Sequence, residues 1–330
     1  MKIINKIKKI VKISVFLYII NSVFSQSALF TDIADNVTKQ IEKMMTSNAE
    51  QMQKVDGITP SISINKRNTI KIWFIDVGQG DSILIRDNKK YILIDTGSSE
   101  GYTSLKKQLK KEKVKKINTL ILTHPDADHI QNADEILNDY SVSKIYMPNI
   151  KNDTKTYETL ISTIKKKKTR VYNPVAGDML KFGKAKYEII GPAADNTYDD
   201  INSHSIILKV TNGKNSFLFT GDATGEETIN LSKRKISADV IKIAHHGSAN
   251  DGCNDYDFLN KVNPKIAVIS CGYQNSYGHP HRETMDYLKN KKIKIMRTDL
   301  QKTISCTSNG KKIRWNKNFL QNYENGNNLK

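Results

Sequence analysis

The stretch Thr123-His124-Pro125-Asp126-Ala127-Asp128-His129-Ile130 sets four potential metal ligands within six residues, directly behind the apolar run Thr119–Leu122. Two carboxylates and two imidazoles supply the hard and borderline donors that divalent zinc, manganese or iron accepts. A strand carried on through Thr123 points His124 and Asp126 the same way, because side chains two apart share a face, so the pair can hold one ion. Asp128 and His129 follow once the chain has turned toward a helix over Ile130–Asn138, and they face a second ion. The alternative for the motif taken alone is a polar loop that opens a helix, with Asp128 as its N-cap.

The remaining histidines sharpen this. Asn202-Ser203-His204-Ser205, Ile243-Ala244-His245-His246-Gly247-Ser248 and Tyr277-Gly278-His279-Pro280-His281 hold every histidine outside the opening motif, seven in all with His124 and His129. The strand Ser216–Thr220 delivers one more carboxylate, Asp222, placed to bridge two cations. Asp76-Val77-Gly78-Gln79-Gly80-Asp81 and Asp95-Thr96-Gly97 follow strands as well. Asp76 and Asp81 are either turn residues or groups that orient the metal ligands from behind.

Working outward, β-rich apolar runs at Ile70–Ile75, Ser82–Arg86 and Tyr91–Ile94 predict strands, with a hairpin turn over Asp87–Lys90. Helices are predicted over Gly101–Lys113 and Lys155–Lys166, and strands over Lys144–Met147, Asp239–Ile243 and Lys265–Ser270. Two hairpins are expected, Met179–Phe182 with Lys186–Ile190 about Gly183, and Ser205–Val210 with Ser216–Thr220 about Asn212-Gly213. Strand groups interleaved with helices imply an α/β fold with two packed sheets and helices on both outer faces.

The ends of the chain read differently. Lys2, Lys6, Lys8, Lys9 and Lys12 precede the apolar run Ile13–Ile20, which is short for a bilayer crossing of about 20 residues, so residues 1–25 read as a signal peptide cleaved after Ser25. An uncleaved anchor is the alternative; with the leader removed, no stable membrane insertion is expected, and the protein is secreted or extracytoplasmic. Ile33, Val37, Ile41, Met44 and Met45 give a modest amphipathic helix within residues 26–69, followed by a linker. The main folded domain is placed at 70–320, and 321–330 is expected to be a disordered tail. The formal charge of +18 less the five leader lysines leaves +13, which fits a polyanionic partner or equally a lysine-rich composition. Three cysteines without a CxxC pair give no readable disulfide framework, and at most one pair forms.

The ordered set of Asp95-Thr96-Gly97, THPDADH, TGDA at Asp222 and HHGS at His245 resembles the metallo-β-lactamase superfamily. DVGQGD with GHPH resembles more narrowly the hydrolase-like domain of the DNA-uptake competence protein ComEC, here free-standing and without the membrane channel. The resemblance spans residues 70 to 300 and implies a four-layer αββα sandwich with a two-metal site on one edge. Its usual opening motif is HxHxDH, and Asp126 stands where the second histidine is expected. Carried over, His124 and Asp126 bind one ion, Asp128, His129 and His245 the other, and Asp222 bridges; His246 is the alternative to His245. Asn202 or His204 falls near the superfamily's further histidine. Oxygen donors weaken a zinc-only preference and admit manganese, so the cofactors implied are two divalent ions, Zn2+ or Mn2+.

A pair of cations activates a shared water and clamps the attacking and leaving oxygens of a phosphodiester. Asp128 and Asp222 would hold that water, and His279 would give the leaving group its proton or neutralise the phosphorane. With basic stretches at Lys106–Lys116, Lys165–Arg170 and Lys289–Lys294, the expected substrate is nucleic acid bound through its backbone. Hydrolysis of a small lactam, lactone or thioester is the competing activity. A nucleic-acid-binding protein with a structural metal is the third reading, which the absence of cysteine from the opening cluster disfavours.

Overall fold

The computed structural model describes residues 68–329 apart from 196 and 233. The leader and amphipathic helix expected within residues 1–67 lie outside the described residues. The first strands are β1 (Ile70–Phe74), β2 (Ile83–Asp87), β3 (Lys90–Ile94), β4 (Lys116–Ile117), β5 (Thr119–Ile121), β6 (Ser141–Val142), β7 (Lys144–Tyr146) and β8 (Arg170–Tyr172). The second group is β9 (Lys186–Gly191), β10 (Ile207–Asn212), β11 (Asn215–Phe219), β12 (Val240–Lys242), β13 (Ile266–Ile269) and β14 (Lys294–Arg297); β15 (Ile304–Ser308) and β16 (Ile313–Trp315) close the chain.

These form an eight-stranded sheet, β16-β15-β1-β2-β3-β5-β7-β8, a six-stranded sheet, β14-β13-β12-β11-β10-β9, and a separate two-stranded pair, β4-β6. Each of the two large sheets begins as an antiparallel meander and continues through parallel crossovers, β3-β5-β7-β8 in one and β11-β12-β13-β14 in the other. Strand alternation explains the layering. Ile70, Ile72, Phe74, Ile83, Ile85, Phe217 and Phe219 point between the sheets and form the central core. Their neighbours Trp73, Leu84 and Leu93 point outward to the helices Tyr102–Lys111, Ala133–Asp139 and Lys155–Lys167. Leu218, Ile241 and Ile269 face the helices Tyr256–Val262 and Arg282–Asn290 on the other side. The architecture is the expected helix–sheet–sheet–helix sandwich, an α/β fold.

Asp87 ties the layers together. It is fully buried, and its Oδ2 accepts from the backbone N–H of Lys184 at 2.7 Å and of Ala185 at 2.8 Å, and from the Tyr187 hydroxyl at 3.2 Å. A Cβ on Gly183 would lie 2.1 Å from that oxygen, so only glycine lets the turn come so near.

Three expectations are corrected. The helix expected over Ile130–Asn138 is two short helices, Ala127–Ile130 and Ala133–Asp139. The hairpin strand Met179–Phe182 shrinks to a single bridge, Met179 to Glu188, because Leu180 and Phe182 turn into the central core. The tail is not disordered over its described length: the Tyr323 hydroxyl donates to the Ile293 carbonyl at 2.7 Å and Gly326 N–H to the Pro280 carbonyl at 2.9 Å. Asn325 is buried there, and the Arg297 guanidinium donates to the Glu324 carbonyl.

Candidate metal centre

The parallel strands deliver their carboxyl ends to one edge, where open α/β sheets place their sites. β3 runs into Asp95, β5 into the opening motif, β11 into Asp222 and β12 into His245 and His246. Backbone bonds sew these loops together, within a sheet from Asp95 N–H to Ile121 O at 2.8 Å, Thr96 N–H to His129 O at 2.7 Å and His245 N–H to Gly221 O at 3.2 Å, and between the sheets from Ile206 N–H to Thr123 O at 2.9 Å. Gly80, at φ +124°, lies so near that an added Cβ would sit 2.1 Å from the Asp128 carbonyl oxygen. The glycine-rich DVGQGD loop is thus the bed on which Asp128 rests.

Donor atoms of Asp128, His129, Asp222 and His246 all lie within 4.8 Å of one another. His129 Nε2 and His246 Nε2 each stand 3.1 Å from Asp222 Oδ2, and His246 Nε2 is 3.0 Å from Asp128 Oδ2. Both rings are fixed from behind. His129 Nδ1 faces Asp95 Oδ2 at 2.9 Å and His246 Nδ1 faces the Ser270 carbonyl at 2.9 Å. Those acceptors hold the proton on Nδ1 and turn Nε2 inward as the ligand atom, the usual support of a metal-binding histidine.

His124 is oriented in the same way. Thr123 Oγ1 donates to Asp95 Oδ2 at 2.7 Å and so offers its lone pair to His124 Nδ1 at 3.1 Å, leaving Nε2 3.7 Å from Asp126 Oδ2. Its ring lies 4.1 Å from that of His129, centroid to centroid. The Nε2 atoms of His124 and His129 and Oδ1 of Asp222 are buried without a hydrogen-bond partner. Each such atom costs about 1–3 kcal/mol when left unsatisfied. Three converging at one spot, beside carboxylates that make no helix cap, fit divalent cations: Asp128, His129, Asp222 and His246 around one, with His124 and Asp126 beside it for a second.

Protonation follows the same geometry. Burial opposes charge throughout, yet Asp222, Asp128 and Asp95 raise His129 well above the ordinary imidazole range, and Asp222 and Asp128 carry His246 up to about 10. Against their own burial, His129 and His246 hold Asp128 and Asp222 low. His124, buried and next to His129, is pushed well down. Burial together with Asp128 raises Asp126.

Not every expected residue reaches the cluster. His245 stands 3.9 Å from Asp222 Oδ2 and its Nδ1 lies 3.4 Å from Cys253 Sγ, so the structure puts His246, not His245, in the inner group. The two sit at φ +46° and +54°, a left-handed pair that swings the second ring inward. His204 turns away, with Nε2 3.1 Å from the Tyr198 carbonyl. Asn202 keeps its Oδ1 buried without a partner, while Ser205 makes the contacts nearby: its Oγ accepts from Asp222 N–H at 3.1 Å and lies 3.4 Å from His124 Nδ1. Asp76 is a turn residue, its carboxylate taking Gly78 N–H at 3.4 Å and lying 3.6 Å from Lys302 Nζ. Asp81 instead meets Lys242 Nζ at 2.5 Å, and that fully buried ammonium is also 3.9 Å from Asp222 Oδ1.

No motif marks Lys242 in the sequence, although a lone lysine in the apolar run Asp239–Ile243 is an available signal. Gln79 is equally unmarked. Its Oε1 accepts Gly272 N–H at 3.0 Å, which leaves its amide N–H to face His279 Nδ1 at 3.4 Å. His279 therefore carries its proton on Nε2. Burial, with His246 and His281 nearby, brings His279 down to about 3, which favours its neutral, hydrogen-bond-donating form.

The lysine clusters lie away from this edge. Helices that follow parallel strands run back to the strands' amino ends, so Lys165–Lys168, at the end of Lys155–Lys167 and before β8, stand on the opposite edge. The 13-residue helix separates them from the site edge by roughly 20 Å. Lys113–Lys116 before β5 and Lys289–Lys294 before β14 share that far edge.

Such an edge-sited group of histidines and carboxylates on a double sheet defines a metal-dependent hydrolase fold. Residues 75–272 match the profile of the metallo-beta-lactamase superfamily, and the chain belongs to that superfamily, whose members are generally metal-dependent hydrolases using divalent ions, typically two. It is 31 % identical over 254 residues to ComE operon protein 3 of Bacillus subtilis, covering 71 % of this chain and 32 % of that protein. It is 33 % identical over 235 residues to Recombination protein 2 of Haemophilus influenzae, covering 70 % and 28 %. The chain thus spans under a third of the length of either relative. It is also similar in fold to YhfI of Bacillus subtilis, at 14 % identity and a TM-score of 0.47 over 66 % of this chain and 93 % of that one. No helix among the described residues is long and apolar enough to cross a membrane.

Proposed function

We propose that this chain is a metal-dependent phosphodiesterase that cleaves DNA or RNA, exported by the leader pattern in residues 1–25. The observation that carries the chemistry is the donor group of two carboxylates and two imidazoles, Asp128, Asp222, His129 and His246, with both Nε2 atoms aimed inward. Those residues hold one divalent ion, and His124 with Asp126 hold a second, manganese or zinc. When bound, the ions supply Lewis acidity and a nucleophilic water at neutral pH.

The protein's own groups do the rest. Asp95 and Ser270 fix the two imidazoles, and Lys242 balances the carboxylates of Asp81 and Asp222 from beneath. His279, with Nε2–H held outward by Gln79, donates a hydrogen bond to a phosphoryl oxygen and steadies the charge that builds there. A phosphodiester is favoured over a lactam by the net charge of +13 that is left of +18 without the five leader lysines, and by a relative named for recombination.

The test is turnover of DNA, RNA, bis-p-nitrophenyl phosphate and a chromogenic lactam by the chain lacking residues 1–25, with manganese or zinc. Cleavage of the phosphodiesters that vanishes in chelator is expected. Turnover of the lactam alone sinks the proposal.

A further inference from the structure

The site edge lacks the lysine clusters but holds an exposed ring at the metal centre. Tyr277 is 66 % exposed, yet one of its faces lies on His279, with centroids 5.5 Å apart and planes only 18° from parallel. The His279 ring in turn stands 6.1 Å from His246, so Tyr277 is one imidazole removed from the candidate ligands.

Its loop is braced. Asn275 donates to the carbonyls of Gly272 at 2.9 Å and His279 at 2.7 Å, and its own carbonyl accepts His279 N–H at 2.9 Å. Gly278, at φ +75°, packs so tightly under Asn327 that an added Cβ would sit 2.5 Å from its side-chain oxygen. A large apolar ring held rigidly with one face free is set up to take another flat group, because the ordering cost is already met.

We propose that Tyr277 is a stacking platform for a nucleobase flanking the scissile phosphate, extending the Tyr277–His279 stack by one ring. This rests on the phosphodiesterase reading and assigns it a substrate contact. Every base has a π face, so such a platform binds without reading sequence. It requires an unpaired base, so the productive substrate is a single strand or a frayed end, held near the reaction by stacking and not by charge.

Two measurements on the full chain test it. In the first, manganese-dependent cleavage of a short single-stranded oligonucleotide is compared with that of the same oligonucleotide carrying an abasic residue at each position in turn. The wild type is expected to lose roughly fivefold or more in kcat/KM at one position, the worth of a single stacked base. Tyr277→Ala should lose as much on the intact strand and nothing further on the abasic one, whereas Tyr277→Trp should keep the discrimination. Equal discrimination in Tyr277→Ala overturns the platform while leaving the nuclease intact.

The second measurement needs no catalysis. In chelator, an oligonucleotide containing 2-aminopurine is titrated with wild type and Tyr277→Ala. Quenching in the wild type that weakens several-fold in the variant supports the platform even if no phosphodiester is cleaved. Quenching that is absent, or the same in both, overturns it.

Discussion

His245 and His246 occupy left-handed backbone at φ +46° and +54°, a conformation that costs an ordinary residue about 1–2 kcal/mol. Glycine adopts it without that penalty, which separates strain from chemistry. His245→Gly should raise the unfolding free energy by about 1 kcal/mol and keep bound metal. His246→Gly should lose the metal and also lose stability, because it takes a buried imidazole away from Asp128, Asp222 and the Ser270 carbonyl; elemental analysis beside thermal unfolding reads both. Wild-type metal content in His246→Gly would return the ligand role to His245.

Lys242 makes a second residue-scale prediction. Replacing it with methionine strands the carboxylates of Asp81 and Asp222 in the interior, and removing one partner of a buried pair costs about 3–5 kcal/mol. A denaturation midpoint like the wild type's would show that the ammonium is not needed. The ligand types are legible in the sequence because carboxylates and imidazoles crowd into short motifs after apolar runs. The choice between His245 and His246 is not, since it depends on two dihedral angles that no residue pattern encodes. Lys242 and Gln79 act through partners 161 and 193 residues away, Asp81 to Lys242 and Gln79 to Gly272, distances over which sequence spacing carries no signal.

Among elements, the tie between β2 and the turn before β9 matters most to the sandwich. Asp87→Ala leaves two part-buried backbone donors and the buried Tyr187 hydroxyl without their acceptor. We expect a loss of about 3 kcal/mol or more in urea unfolding, with little change in metal content because Asp87 lies at the carboxyl end of β2, an antiparallel strand that leads away from the site. A loss below about 1 kcal/mol, on the order of a single exposed hydrogen bond, would contradict the tie. Strands with compact apolar runs, such as Ile72-Trp73-Phe74 in β1 and Phe217-Leu218-Phe219 in β11, are readable. β15 is not: Ile304-Ser305-Cys306-Thr307-Ser308 buries Ile304, Cys306 and Ser308 beside β1 with one large apolar side chain. β8 is an edge strand with all three residues exposed, so it has no inward pattern to show.

At the scale of the whole molecule, the chain separates chemistry from charge. The metal-ligand candidates line one edge of the sandwich and the lysine clusters the other, roughly 20 Å away along a 13-residue helix. Only a long polyanion can reach both. Charge reversal at Lys165–Lys168 should weaken binding of long DNA and flatten its salt dependence, by close to one unit of slope for each phosphate that is no longer neutralised. Turnover of a tetranucleotide should be unchanged. Equal losses on long and short substrates would place the lysines in the reaction groove, against the topology. Export is checked by intact mass: secreted protein beginning at Met1 would count against leader removal.

The central claim is that the group around Asp222 holds the metal that cleaves a phosphodiester. It is tested most directly by following cleavage of a short single-stranded oligonucleotide while manganese is titrated into wild type, Asp222→Ala and His246→Ala. The account predicts saturable, metal-dependent cleavage by the wild type, and a loss on the order of a thousandfold or more in both variants, as expected when a metal centre is removed. Cleavage by either variant at near wild-type rates, or none by the fully metal-loaded wild type, would contradict it.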